Sequence, residues 1–569
     1  MDRNRGLIAC LPALSLLYLL VFPLPVDLPS GIAMVSFASA DTVPGGNVSG
    51  TWYEASSPYY IAGNITIQAG DTLTIEPGVE VNFLNGMYSL NVNGFLEAIG
   101  TEADSISFTG GFCIIMTADS SSLIYCSISS FSNRMCVAGS SSPEISHSRF
   151  DNNAQAIDWE STSDATISDC VISNSTDYGG ILWWSLADLT LVDCVICDNT
   201  SSYPGAGVRA IAGDRAVAGG TVEFINCTIT ANSTEKYGGG VSFTDGTAIF
   251  TNCTISNNYA GNQGGGVSVN YGTATFTECT IKGNDGFSSA TPTNGGGGIS
   301  LYNSSGTLSY CTVFDNFTFD YGGGIAVTNG DLVLDHCSIV GNEAWDYGSG
   351  ISIVSGGTAD ITNSIISYNF DDYSIYNEGT VTLGYSDFYG NTSGDISGNV
   401  PSGFGDLDRV NYNGDSCDVF YNIFLDPVFV DLASGDLHLL AGSPCIDAGD
   451  PTFPYDPDGT ITDMGRYYFN QTGTGGSTPV PLPPGHCLLS CHPNPCRQIL
   501  NVHFEVPGQP APSLYIYGLD GRLIADMTDC LLSDTGDLAL DVSGMCEGVY
   551  LCRLAAGDAS RTMAFVVIR

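Results

Sequence analysis

Residues 250–269 read FTNCTISNNYAGNQGGGVSV, and the same order of residue types returns at the next cysteine. Seven cysteines anchor this unit: Cys170, Cys194, Cys227, Cys253, Cys279, Cys311 and Cys337. Three of the intervals between them are 26 residues and the others are 24, 33 and 32. Ser364 takes the cysteine place at one end, and Cys126 and His147 are read as taking it at the other. Apolar residues keep a fixed distance from each anchor. Ile167, Leu191, Phe224, Phe250, Phe276, Leu308 and Leu334 stand three before, and Ile172, Ile196, Ile229, Ile255, Ile281, Val313 and Ile339 stand two after. After the glycines apolar and small residues alternate, as in Val241-Ser242-Phe243 and Ile351-Ser352-Ile353. Period two in short pieces broken by Gly and Asn predicts strands of three to five residues.

A period near 25 residues with only short strands constrains the fold severely. One unit cannot bury an apolar face alone, so each must be a coil stacked on the next. Strands of successive coils then pair in parallel, about 4.8 Å apart. The handedness of parallel connections makes the solenoid right-handed. About 14 coils between Gly45 and Val400 give a rod about 65 Å long. Inside it the cysteines are expected as small buried apolar groups in a column. Five residues past the anchors run Asn152, Asn199, Asn232, Asn258, Asn284, Asn316, Asn342 and Asn369. This column is expected to turn the chain and to bond amide to amide between coils.

The "GGGI" and "NCTI" units resemble the right-handed parallel β-helix family, in particular surface proteins with polymorphic outer-membrane-protein repeats. SPYYIAGNITIQAGDTLTIEPGVEVNF (57–83) resembles the first coils of such proteins. Residues 424–469, ending in DMGRYYF, resemble the segment that closes them. Beyond a Gly/Ser/Pro linker at 471–485 come HPNPCRQILNV, SLYIYGLDGRLI, DVSGMCEGVYLCRL and MAFVVIR. These resemble the C-terminal sorting domain of Por-type (type IX) secretion and the immunoglobulin-like domain of flagellar hook-capping proteins. The resemblance implies the outer-membrane secretion machinery as a partner, and a location outside the cell or on the outer surface of a bacterium with an outer membrane.

The ends of the chain fit export. Arg3 and Arg5, the apolar run Leu7 to Val26 and Ala38-Ser39-Ala40 read as a signal peptide. The organisation is therefore signal peptide 1–40, β-helix 41–400, closing segment 401–470, linker 471–485 and β-sandwich 486–569, all-β throughout. Six strands are expected in the sandwich: Ile499–Val506, Ser513–Leu519, Arg522–Ala525, Asp537–Val542, Val549–Leu554 and Met563–Ile568. Its cysteines, Cys487, Cys491, Cys496, Cys530, Cys546 and Cys552, are expected in disulfides of undetermined pairing. Cys417 and Cys445 are a further candidate pair.

A net charge of −45, from 60 acids against 15 Lys and Arg, excludes nucleic acid as a partner. The chain is read as a monomer. Cleavage of polysaccharide would need a base beside a carboxylate, or paired carboxylates. Arg134, Arg149, Arg209, Arg215, Lys236 and Lys282 are scattered over different coils, and Asp371-Asp372 is the one adjacent acidic pair near the repeat. The row Ser242, Ser268, Ser300, Ala326, Ser352 carries no partner to activate a nucleophile. No catalytic or metal-ligating residue is assigned. No cofactor is expected; calcium at Asp456-Pro457-Asp458-Gly459 and zinc at Cys487, Cys491 and Cys496 beside His486 and His492 are the ions raised, and an Asp-Gly turn and disulfides explain those segments better.

One column has a binding chemistry. Tyr178, Tyr203, Tyr237, Tyr321 and Tyr347 precede the glycines, with Trp345 beside the last and Asp320, Asp346 and Glu235 nearby. An aromatic stack at a corner explains it structurally. The functional alternative is a strip whose rings meet sugar faces and whose acids meet hydroxyls. The sequence thus points to a non-catalytic, adhesive or glycan-binding surface protein, with a polysaccharide lyase or glycoside hydrolase as the alternative.

Overall fold

A computed structural model describes residues 41–118, 121–212, 219–287, 295–354, 356–471, 488–492, 499–506, 512–518, 522–528, 531, 535–545, 548–556 and 559–567. The expected signal peptide, nearly all of the linker, Arg215, and Cys487, Cys496, Cys530 and Cys546 lie outside the described residues. Among those described there is no α-helix; one 3-10 turn spans Glu54–Ser56.

Each coil follows from the residue order. After Cys253 the chain runs as a strand at Thr254–Ser256, with Ile255 pointing inward and wholly buried. It bends, forms the two-residue strand Tyr259–Ala260, passes the glycines, and continues as Val267–Thr277. The first strands of the coils form a 15-stranded parallel sheet from Asp41–Val43 to Asp387–Tyr389. Tyr259–Ala260 belongs to a six-stranded sheet, and the later strands to one of 27. Three solenoid strands exceed the expected length: Gln155–Ser161 has seven residues, and Val241–Thr251 and Val267–Thr277 have 11 each, bent at Asp245 and Tyr271, where φ is 57° and 59°.

Register carries each residue type into a column. Thr254, Ile255 and Ser256 pair with Thr280, Ile281 and Lys282. Phe224, Phe250 and Phe276 stack face to face inside, 4.6 Å apart and within 4° of parallel. Cys126, Cys170 and the six anchors from Cys194 to Cys337 are all buried and unpaired. The Cys279 thiol donates to the Phe250 and Thr277 carbonyls at 3.4 and 3.3 Å. The anchor place in the coil of His147 belongs instead to Ser148, since Arg149 pairs with Val171 and so puts Ser148 level with Cys170. Ser148 is buried and donates to the Ser146 carbonyl at 2.8 Å. His147 occupies the preceding column, whose residues take left-handed backbone: His147, Asp169, Asn226, Asn252 and Glu278 have φ between 50° and 55°.

The asparagine column divides in the same way. The residue four past the anchor is left-handed, with φ 53° at Asn152 and 54° at Asn257. The fifth, Asn153 and not Asn152, is buried and forms the ladder. Asn258 Nδ2 donates to Asn284 Oδ1 at 3.0 Å and to the Ile229 carbonyl at 2.9 Å, and Asn284 repeats the pattern to Asn316 and Ile255. Each amide oxygen also accepts the backbone N–H one coil back, as Asn284 Oδ1 does from Asn258 at 3.0 Å. The asparagine amides at this corner are therefore satisfied inside the core, as burial demands. The glycines answer to the same crowding: a Cβ on Gly240 would lie 2.7 Å from the Gly266 carbonyl oxygen and 3.1 Å from the Asn258 side chain.

The closing segment is bound to the first sheet by long-range contacts. Gly465 N–H donates to the Asn363 carbonyl at 2.7 Å. Arg466 reaches Thr280 Oγ1 and the carbonyls of Cys279 and Glu278 at 2.5, 3.1 and 2.9 Å. His336 Nε2 lies 2.6 Å from Thr462 Oγ1. Cys417 and Cys445 are buried in this segment as free thiols, not as a disulfide. Residues 456–459 form an Asp-Gly turn: Gly459 has φ 86°, and Gly459 N–H bonds to the Asp456 carbonyl at 2.8 Å. After residue 487 two antiparallel sheets share one apolar core that includes Leu500, Ile516, Leu554 and Phe565. Leu488–His492, Ile499–Glu505 and Thr535–Asp541 form one; Leu523–Asp526, Ser513–Gly518, Gly548–Ala556 and Ala559–Val567 form the other. Leu488–His492 is a strand that the sequence pattern did not reveal. Cys552 in this core is a free thiol.

Candidate functional site

The glycine turns decide what happens on the outer face of the strands that follow them. A Cβ on Gly238 would stand 2.8 Å from Ser242 Cα, and one on Gly264 2.9 Å from Ser268 Cα. The turn thus folds back over its own strand. Ser242, Ser268, Ser300, Ala326 and Ser352 point outward by register but are at most 3% exposed. Tyr376 continues this row beyond Ser352, and its ring lies 4.7 Å from that of Tyr347. The row is small because the turn and its tyrosine roof it, so it is not a surface that a substrate reaches.

The tyrosines form two clusters instead of one strip. In the first, Tyr178 and Tyr203 stack at 5.1 Å and 10°, and the Arg209 guanidinium stands 5.7 Å over the Tyr203 ring. Tyr237 follows one coil on, 38% exposed. The next two coils carry Gln263 and Gly295 before the turn glycine. At Gly295 a Cβ would fall 1.7 Å from the Tyr321 carbonyl oxygen, so no side chain fits. The second cluster is Tyr321 on Tyr347, 4.8 Å apart at 20°, with Tyr376 tilted against both. Rings stacked along the solenoid axis cover one another's faces, so mainly edges and hydroxyls meet solvent. The stack at a corner that the sequence allowed is therefore present, and it accounts for much of the column.

Trp345 is different. It is 57% exposed. Its ring meets Phe319 edge to face at 4.4 Å and 75°, and Phe317 at 6.1 Å and 79°. Nε1–H donates to Glu343 Oε1 at 3.0 Å. Packing on one side and a hydrogen bond at the ring nitrogen fix the indole, so binding would cost it little rotamer entropy. Burial raises the Glu343 carboxyl above the usual range; the Trp345 N–H opposes this, and the Asp371 carboxylate beside it adds to it. Asp372 is engaged with the Gly348 N–H at 2.9 Å. Sequence reasoning found Trp345 but missed Phe317, Phe319, Tyr376 and Glu343. Phe317 and Glu343 sit in register in the six-stranded sheet, a pairing that two-residue strands do not announce.

Arg134, Arg149, Arg209 and Lys282 are absorbed by local structure. Arg134 Nε meets Asp158 Oδ2 at 2.8 Å, and Arg149 meets Asp151 at 3.0 Å. Burial, with help from Glu160, pushes the Asp158 carboxyl up to about 6 against the pull of Arg134. Burial also lowers Lys282. Among the described residues no three His, Cys, Asp or Glu side chains converge as metal ligands.

Comparison with known proteins gives two family matches. The model of the right-handed β-helix region matches residues 59–196 and 206–393. The model of the secretion-system C-terminal sorting domain matches 490–569. Among curated proteins none matches the chain. Among solved structures, the crystal structure of pectate lyase Pel9A aligns over 71% of this chain and 88% of its own length, at 12% identity and a TM-score of 0.25. A likeness that loose carries no argument.

Proposed function

This chain belongs to the right-handed β-helix family and is secreted by way of a type IX sorting domain, and we propose that it is a non-catalytic glycan-binding protein that works outside the cell or on its surface. The observation that supports this reading is Trp345: an exposed indole, braced by Phe317 and Phe319, with carboxylates of Glu343 and Asp371 at its edge. A flat apolar face beside hydrogen-bond acceptors suits the C–H face and hydroxyls of a pyranose. Tyr347 contributes edge contacts next to it, and Tyr178, Tyr203 and Tyr237 form a second, separate contact area. Tyr321 supports Tyr347 from behind.

One stacked ring contributes about 1 kcal/mol, so a single contact is weak and retention depends on several along one chain. The surface charge directs the preference toward neutral glycans, since a net charge of −45 repels acidic ones. Affinity electrophoresis of the full-length protein through gels holding neutral or acidic polysaccharides tests the reading. Retardation by a neutral polysaccharide that weakens about fivefold in Trp345→Ala and is kept in Trp345→Phe is expected. Retardation unchanged in Trp345→Ala would remove Trp345 as the contact, and no retardation by any polysaccharide would remove the function.

A further inference from the structure

The long strands bend at a second place, away from the tyrosines, and the bend leaves a groove. Asp245, Tyr271, Asn303 and Asn329 occupy equivalent positions in four successive coils, since Thr244 pairs with Asn270, Asn270 with Tyr302, and Tyr302 with Thr328. All four are left-handed, with φ of 57°, 59°, 47° and 53°. Next to them run Gly246, Gly272, Ser304 and Gly330, and then a second row, Thr247, Thr273, Ser305 and Asp331. Two polar rows flanking a row of minimal side chains enclose a groove of about 570 Å³.

The inner row is packed against the neighbouring coils and takes no larger side chain. A Cβ on Gly272 would lie 2.9 Å from the Gly246 carbonyl oxygen, and one on Gly330 1.9 Å from the Ser304 carbonyl oxygen. Ser304 itself is 3% exposed and receives the Gly272 N–H at 3.2 Å. The rows are tied along the axis by their own hydrogen bonds. Asn329 donates to Asn303, Thr273 lies 3.3 Å from Thr247, and Asp331 accepts from Thr358 at 2.6 Å. The groove is thus pre-formed, and it repeats one set of polar groups per coil.

We infer that this groove binds a linear, neutral, hydroxyl-rich glycan lying along the solenoid axis, as a site distinct from Trp345. Four coils span about 14 Å at the inter-strand spacing, and that spacing is close to the advance of one sugar in an extended chain. Amides and hydroxyls on one side, and hydroxyls and a carboxylate on the other, can donate to and accept from ring hydroxyls at each step. The carboxylates of Asp245 and Asp331 exclude uronic acids and sulfated sugars. The lack of apolar side pockets disfavours a peptide, whose side chains would need them. The inference rests on the glycan-binding reading for its ligand class, and it adds a place and a register.

Calorimetry with neutral β-linked hexose oligosaccharides of two to eight units, and with a neutral peptide of matched length, tests it on the full-length protein. Affinity should rise with length up to about four units and then level off, with no heat from the peptide. Asn303→Gly with Asn329→Gly keeps the left-handed backbone and should weaken binding about tenfold through two lost amide partners. Thr273→Arg, an exposed substitution at the rim, should block the groove, with circular dichroism showing an intact fold. If Trp345→Ala removes all binding while both groove variants keep it, the groove is overturned and the Trp345 reading stands. If the groove variants lose binding and Trp345→Ala does not, the groove stands and the Trp345 reading falls. Binding of the peptide, or of no oligosaccharide, overturns the groove proposal.

Discussion

Removing one rung of the buried amide ladder should open the solenoid locally, and Asn284→Ala is the cleanest case. The Asn284 side chain is wholly buried. It donates to the Ile255 carbonyl and to Asn316 Oδ1, each at 2.9 Å. Its oxygen accepts the Asn258 N–H and the Asn258 amide, each at 3.0 Å. Alanine leaves these partners buried without a bond. An orphaned buried group costs about 1–3 kcal/mol, but the partners share relaxation, so about 3–5 kcal/mol is expected in total. Within the solenoid each coil pairs with its neighbours, so the loss stays local and does not melt the rod. Hydrogen exchange read by mass spectrometry on peptides covering 253–320 should show protection falling by about a hundredfold to several thousandfold. Peptides before residue 200 should not change. Asn257→Gly, at a left-handed position whose backbone glycine adopts freely, should leave protection nearly unchanged. A drop below threefold in Asn284→Ala, or an equal drop in Asn257→Gly, would refute the ladder as a source of stability.

Further outcomes follow from other columns. Cys279→Ser should cost little, because Ser148 and Ser364 fill the same place in other coils, whereas Cys279→Leu should lower thermal stability by about 1–3 kcal/mol through overpacking; comparable melting of the two would contradict the packing. The buried column thiols should resist alkylation in the folded protein and react in urea, and fast labelling of Cys227 to Cys337 under native conditions would contradict their burial. Burial pushes Asp463 up to about 7, with its backbone N–H partners Asp447 and Phe469 opposing and Asp456 and Asp447 carboxylates adding. The folded state therefore holds a proton that the unfolded state has lost between about pH 4 and 7, so this group's contribution falls as pH rises through that window. The closing segment should show higher protection factors, corrected for intrinsic exchange, at pH 5 than at pH 8, and Asp463→Asn should flatten the difference; a steeper slope in the variant would show the sign to be wrong. Deleting Cys487–Arg569 should hold the protein in the periplasm of its native host, and normal delivery without those residues would separate the sorting domain from export.

The repeat was legible because every coil sets the same constraint. Cysteine, isoleucine and asparagine recur at fixed distances since each meets its own kind one coil away. The one shifted assignment, at His147 and Asn152, has the same origin. In that coil the anchor place is held by Ser148, and the polar residues beside it are the left-handed ones, which resemble the column types without joining them. The closing segment was legible as a unit but not in its path, because Arg466 meets Glu278 and Thr280 across more than 180 residues. The aromatic column was legible as chemistry, while its geometry was not. Periodicity places Tyr321 and Tyr347 in line, but the 4.8 Å coil spacing then turns their faces toward each other and leaves Trp345 as the open ring.

Binding without cleavage is the central claim, and one assay addresses both halves. The purified full-length protein is held with each of a panel of neutral and acidic polysaccharides; the bound fraction is measured by sedimentation, and the same supernatants are assayed for reducing ends and unsaturated sugars. Retention on a neutral polysaccharide, lost when Trp345→Ala is combined with Thr273→Arg and accompanied by no new chain ends, is the predicted result. Release of reducing or unsaturated sugars that depends on the protein would contradict the account and make this β-helix an enzyme.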